Sequence, residues 1–76
     1  MSVGELQRVF GRNLRAHRME LNLSQENLAE VVGLHRTYVG SLERGERNPT
    51  LRTVEAIAHR LHVEPLELLV PSLETE

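Results

Sequence analysis

Apolar residues recur along this chain at steps of three and four, and no stretch of useful length alternates with period two. Leu6, Phe10 and Leu14, with Leu21 as a further candidate and Val3 and Val9 flanking, predict one amphipathic helix over residues 4–21. Gly11 interrupts it at a cost of about 1 kcal/mol against Ala, which a close helix–helix approach would explain. Asn22 offers a left-handed stop. Ser24 predicts the next N-cap, with Glu26 well placed in the first turn, although Asn27 stands where a full capping box has Glu or Gln. Leu28, Ala29 and Val32 form the apolar face of a short second helix that ends at Gly33.

A third helix runs from about residue 36 to 44, mixing Tyr38, Val39 and Leu42 with polar positions, and Gly45 closes it. The polar run Glu46-Arg47-Asn48-Pro49 reads as a loop. Thr50 caps a fourth helix with Leu51, Val54, Ile57, Ala58 and Leu61 on its buried face. Glu64-Pro65 opens a fifth, because Pro suits the first helical turn; Leu66, Leu68, Leu69 and Val70 make it unusually apolar, and Pro71 stops it. The prediction is an all-α fold of five helices, one domain over residues 1–76.

Composition narrows the chemistry. At 76 residues, 39% hydrophobic and 26% charged, the chain has room for one small core. Every basic residue is Arg and every acidic one Glu; Lys, Asp and Cys are absent. That removes disulfides, thiol nucleophiles, Schiff-base and P-loop lysines, cysteine zinc sites and Asp-based calcium loops. His59 and His62 are three apart, but two ligands do not make a metal site, and no third is evident. No Ser sits in a nucleophile elbow, so no enzyme activity, metal, cofactor or small-molecule ligand is expected. No apolar run is long enough for a membrane span or signal peptide, and the cytoplasm is the expected location.

The formal charge of −2 argues at first against a polyanionic partner, but it is unevenly spread. Arg outnumbers Glu by two over residues 1–20 and again over 35–52, while residues 61–76 carry Glu64, Glu67, Glu74 and Glu76 with no Arg. The second basic stretch overlaps the most informative part of the chain, Gln25 to Arg44. Two helices that cross steeply need a small residue where they touch, supplied by Ala29. The turn between them needs a residue at ease with positive φ, supplied by Gly33. With Val39 and Leu42 anchoring the second of these helices, His35, Arg36, Thr37, Ser41 and Arg44 are expected to project outward. An exposed helix with Arg and hydroxyl groups near its N-terminus suits a DNA major groove.

The run Leu23-Ser24-Gln25-Glu26-Asn27-Leu28-Ala29-Glu30, then Gly33-Leu34, Leu42-Glu43-Arg44-Gly45 and Arg47-Asn48-Pro49-Thr50-Leu51, resembles the Cro/phage-repressor (XRE) helix-turn-helix family. The resemblance spans roughly residues 6–70. It implies a lambda-repressor-like five-helix domain and a transcriptional regulator that binds double-stranded DNA as a homodimer on a pseudo-palindromic operator. By position, Gln25 matches the family's phosphate-clamping Gln, Arg36 and Thr37 its main base-reading positions, and Ser41 a further reader. Arg44, Arg47 and Asn48 fall where the family contacts phosphate. Arg18 and Glu43 match an internal salt bridge. Tyr38 has two roles open to it, core packing or a phosphate or base contact through its hydroxyl. His35 stands where Ser or Asp usually caps, and is read either as a weak cap or as a DNA contact.

Leu66, Leu69 and Val70, with Leu73, exceed what a terminal helix needs to cover so small a core, and surplus apolar surface points to a partner. The resemblance implies dimerisation through this helix, over about residues 64–71, with recognition helices about one DNA turn (roughly 34 Å) apart. The run Gly33-Leu34-His35-Arg36-Thr37-Tyr38-Val39 with Glu43-Arg44-Gly45-Glu46-Arg47-Asn48 is similar to the controller proteins of restriction–modification systems, although Pro49 is commoner in generic family members. A prophage repressor, an antitoxin and a protein-interaction module that does not use DNA are the alternatives.

Overall fold

Ser24, His35 and Thr50 each sit in extended backbone just ahead of a helix and accept an N–H from its first turn. The distances are 3.0 Å from Asn27 N to Ser24 Oγ, 3.1 Å from Thr37 N to His35 Nδ1 and 3.0 Å from Thr53 N to Thr50 Oγ1. The computed structural model describes residues 1–71. Its elements are α1 (Glu5–Glu20), α2 (Gln25–Val32), α3 (Arg36–Glu43), α4 (Leu51–Leu61) and a 3-10 helix (Pro65–Leu68). Asn22, Gly33, Gly45 and His62 follow the four α-helices with positive φ. His62 is the unexpected stop: Val63 N–H still reaches the Ala58 carbonyl at 3.0 Å, so the helix end is satisfied without a glycine.

α1 packs on α3, α3 on α2 and α2 on α4, while the 3-10 helix closes against α1 and α4. Phe10, Leu14, Leu28, Val39, Leu42, Ile57 and Leu68 fill the shared core, so every element contributes to it. The α1–α3 contact depends on Gly11. A Cβ there would stand 2.3 Å from the Leu42 carbonyl oxygen and 2.8 Å from that of Glu43, both backbone atoms. The glycine that weakens α1 as a helix is what lets the two backbones touch.

Three apolar expectations need correction. Leu51, expected on the buried face of α4, is 74% exposed, because it begins the helix and lies at the edge of the face centred on Val54, Ile57 and Leu61. Leu6 is also exposed, and Val9, expected only to flank, is buried in its place. Leu6 and Leu51 both line an open groove of about 370 Å3, together with Val3, Phe10, Val54 and Leu69. The fifth element is a four-residue 3-10 helix rather than an α-helix. Pro65 starts it, and a reciprocal capping box joins Glu64 and Glu67. Pro71 lacks an N–H and disfavours helical backbone at Val70, so too few residues remain for a longer helix. Leu73 lies outside the described residues.

Candidate nucleic-acid interface

α3 is buried along its C-terminal half, from Val39 to Glu43, and exposed at Arg36 and Thr37. The buried half follows from the close approach at Gly11. The exposed half is oriented by His35. Its Nδ1 accepts the Thr37 N–H and lies 3.0 Å from Thr37 Oγ1, which leaves Nε2 as the ring nitrogen that carries hydrogen. His35 thus caps α3 and still presents a free donor on the exposed side.

Arg18, Glu43 and Gln25 form one network between α1, α3 and the start of α2. Arg18 Nε donates to Glu43 Oε2 at 2.7 Å and its terminal nitrogen to Oε1 at 3.1 Å, a bidentate pair. A third nitrogen donates to the Leu23 carbonyl at 2.9 Å, across the turn that leads into α2. Gln25 Nε2 donates to Glu43 Oε1 at 3.0 Å. The Glu43 side chain is 3% exposed and the Arg18 side chain 14%. The pair therefore holds the N-terminus of α2 at a set position beside α3, and fixes the amide of Gln25 near the first free N–H groups of α2.

Gln25, Arg36, Thr37, Gly40 and Arg44 line one shallow groove of about 150 Å3. Gly40, which sequence reasoning passed over, lies within reach of the two flanking side chains. A Cβ there would meet Arg44 Nη1 at 3.2 Å and Gln25 Oε1 at 3.3 Å. The available signal was a glycine in the middle of an eight-residue helix, a costly choice without a packing or functional reason. Arg44 is exposed, and Glu46 holds its guanidinium above the ordinary value, first through a hydrogen bond and then through charge. The Arg44 Nε to Glu46 Oε2 distance is 3.0 Å. Any anion that binds Arg44 competes with this exposed, weak pair.

Arg47 folds back with its guanidinium carbon 5.7 Å from the centroid of the Tyr38 ring. Tyr38 is half-buried and packs against the core, so it anchors Arg47 beside α3. Asn48 is exposed but lines the apolar groove next to Pro49, away from the Gln25–Arg44 groove. Ser41 does not project outward as expected. It is 7% exposed, and its hydroxyl donates to the Tyr38 carbonyl at 2.8 Å, a bond back onto its own helix. It lies in the half of α3 that the fold covers.

Leu66 and Val70 are 70% and 58% exposed, and Leu69 is half-buried. Sequence reasoning also missed Asn13, which is buried in α1 and donates to three carbonyls of the C-terminal segment. Arg60 was unremarked as well; it donates to the Val31 carbonyl at 3.1 Å and ties α4 to the end of α2. No described helix is long and apolar enough to cross a membrane.

A family model described as Helix-turn-helix matches residues 14–68, well over half of the chain. Control protein C.SmaI of Serratia marcescens is 48% identical over 65 residues, covering 86% of this chain and 77% of that protein. The crystal structure of the restriction-modification controller protein C.AhdI from Aeromonas hydrophila matches at a TM-score of 0.76 and 47% identity, covering 82% of this chain and 94% of that one. The crystal structure of the hypothetical transcription factor NHTF from Neisseria matches at a TM-score of 0.84 and 40% identity, covering 91% and 79% respectively.

Proposed function

The chain belongs to the helix-turn-helix family of sequence-specific, DNA-binding transcriptional regulators, and from that premise we propose that it is a homodimeric restriction–modification controller acting on a pseudo-palindromic operator. The N-terminal end of α3 enters the major groove. Arg36 offers a planar fork to guanine O6 and N7, and Thr37 meets a thymine methyl or a phosphate. Gln25 and the first N–H groups of α2 hold phosphate on one side of the groove. Arg44 and Arg47 hold it on the other, positioning the helix without reading sequence, while Asn48 lies outside this groove. His35 adds a donor through Nε2, and Tyr38 acts by seating Arg47. Ser41 is left out of this site because the fold covers it.

The observation that carries the DNA-facing assignment is the gathering of Gln25, Arg36, Thr37 and Arg44 around a single groove at the exposed end of α3. The controller assignment draws on the similarity to control proteins over most of both chains. A second copy covers Leu66 and Val70, whose apolar surface the monomer leaves exposed, together with the half-buried Leu69 and with Leu73, which lies outside the described residues. Each subunit neutralises few phosphates, so binding is modest without dimerisation, and pairing two subunits doubles those contacts and steepens the salt dependence. Protein concentration then governs operator occupancy.

Selection from random duplexes tests this. It is expected to enrich a two-fold-related site with half-sites about one helical turn apart. Arg36→Ala is expected to cost about 1–3 kcal/mol and relax one base position, and Arg47→Ala to weaken all duplexes alike and flatten the salt slope. A selection that enriches nothing refutes sequence-specific binding at this site. A single unpaired half-site refutes the homodimer, and a chromosomal neighbourhood without an endonuclease and methyltransferase pair counts against the controller role.

A further inference from the structure

Asn13 is a polar residue at 8% exposure inside α1, where the neighbouring Val9, Phe10 and Leu14 are all core. Its Nδ2 donates to the carbonyls of Glu67, Leu68 and Val70 at 3.3, 3.0 and 2.9 Å. An amide nitrogen has two hydrogens, so at least one is shared between acceptors. The acceptors belong to a segment that cannot satisfy itself. The 3-10 helix has only four residues, its last carbonyls have no partner in the next turn, and Pro71 brings no N–H. Leu68 anchors the segment by its side chain, and Asn13 grips its backbone on both sides of that anchor. Of residues 66–70, Leu66, Glu67 and Val70 are left exposed, two apolar side chains with one carboxylate between them in sequence.

We propose that Asn13 is a positioning residue for self-association: its side-chain amide sets the backbone of residues 67–70 so that Leu66 and Val70 present one apolar surface to a second copy of the chain. This rests on the homodimer reading above. A leucine at position 13 would suit the core by composition, but it would leave the three carbonyls to turn toward water and carry Leu66 and Val70 with them. The cost of the buried amide is thus offset by the shape it imposes on the segment that follows.

Sedimentation velocity on a dilution series of the full chain tests the proposal, with the folded fraction monitored by circular dichroism. Wild type is expected to dimerise, and Leu66→Glu to remain a folded monomer. Asn13→Leu is expected to stay folded and to weaken dimerisation by about tenfold or more. Asn13→Asp keeps the shape but faces three carbonyls with a carboxylate that donates nothing; protonation returns one donor. Its dimerisation is therefore expected to be weak near pH 7 and to strengthen relative to wild type toward about pH 5, whereas that of Asn13→Leu follows wild type with pH. If Asn13→Leu fails to fold, the pH response of Asn13→Asp decides alone. Both variants folded and dimerising like wild type, or Asn13→Asp showing no pH response beyond that of wild type, overturns the role of Asn13 and leaves the homodimer standing. A wild type that stays monomeric at every concentration overturns the homodimer and this inference with it.

Discussion

Replacing Gly11 by Ala sets two effects of opposite sign against each other. Helix propensity alone favours the change by about 1 kcal/mol, because α1 is regular on both sides of position 11. The structure opposes it. The new Cβ would stand 2.3 Å from the Leu42 carbonyl oxygen, 2.8 Å from the Glu43 oxygen and 3.1 Å from the Glu43 carbonyl carbon. Ordinary carbon–oxygen contacts lie at about 3.3–3.6 Å, so α1 and α3 must part by roughly 1 Å. Neither helix can yield freely, since Phe10 and Leu14 hold one in the core and Val39 and Leu42 the other. Overpacking of this kind costs about 1–3 kcal/mol and occasionally more, and contacts with two backbone groups place it at the upper end. The net expectation is destabilisation by about 2 kcal/mol, against a total of roughly 4–11 kcal/mol for a chain of this length. Thermal unfolding should move down by about 10 °C. Urea unfolding followed by far-ultraviolet circular dichroism gives the free energy, and an unchanged slope shows that the unfolded state is the same. Gly40→Ala is the control. The nearest atoms there are side-chain ends rather than backbone, Arg44 Nη1 at 3.2 Å and Gln25 Oε1 at 3.3 Å, so stability should change by less than about 1 kcal/mol while DNA affinity falls. A Gly11→Ala protein as stable as wild type, with the same slope, would refute the close-approach argument.

Arg18→Ala leaves Glu43 buried with only Gln25 as partner and is expected to cost about 3–5 kcal/mol in urea unfolding; the double change Arg18→Met with Glu43→Leu should recover most of it. A single-variant cost below about 1 kcal/mol would show that the pair is better solvated than its burial indicates. Ser41→Ala should lose one local hydrogen bond, about 0.5–1.5 kcal/mol, and leave base preference unchanged; an altered operator in a selection would return Ser41 to the DNA face. His35→Ala should lose about 0.5–2 kcal/mol with its cap, whereas His35→Ser should keep the stability and lose only the Nε2 donor. Equal DNA affinity for His35→Ser and wild type would make the imidazole a cap alone.

The helices, their caps and their turns were legible in the chain because each is decided locally. Ser24 and Thr50 cap from extended backbone, and Asn22, Gly33 and Gly45 tolerate the left-handed conformation at a helix end. Apolar spacing found most of the core for the same reason, since a helix with one greasy stripe has few ways to bury it. The run from Gln25 to Arg44 and the resemblance it carries placed Arg36 and Thr37 at the start of an exposed helix, where the structure also has them.

What lay beyond local pattern depended on which backbones meet. Periodicity put Leu51 inside and Ser41 outside; the ends of helices and the reach of neighbouring elements reversed both. The fifth element shortened to a 3-10 helix because two prolines bracket it. Its carbonyls then needed Asn13, more than fifty residues earlier in the chain, a pairing no spacing rule could suggest. Gly11 pointed to a close helix approach, but only the fold supplied the partner, the backbone of Leu42 and Glu43. Propensity and periodicity act within a turn or two of chain, whereas burial and polar satisfaction are settled by residues that are neighbours only in space.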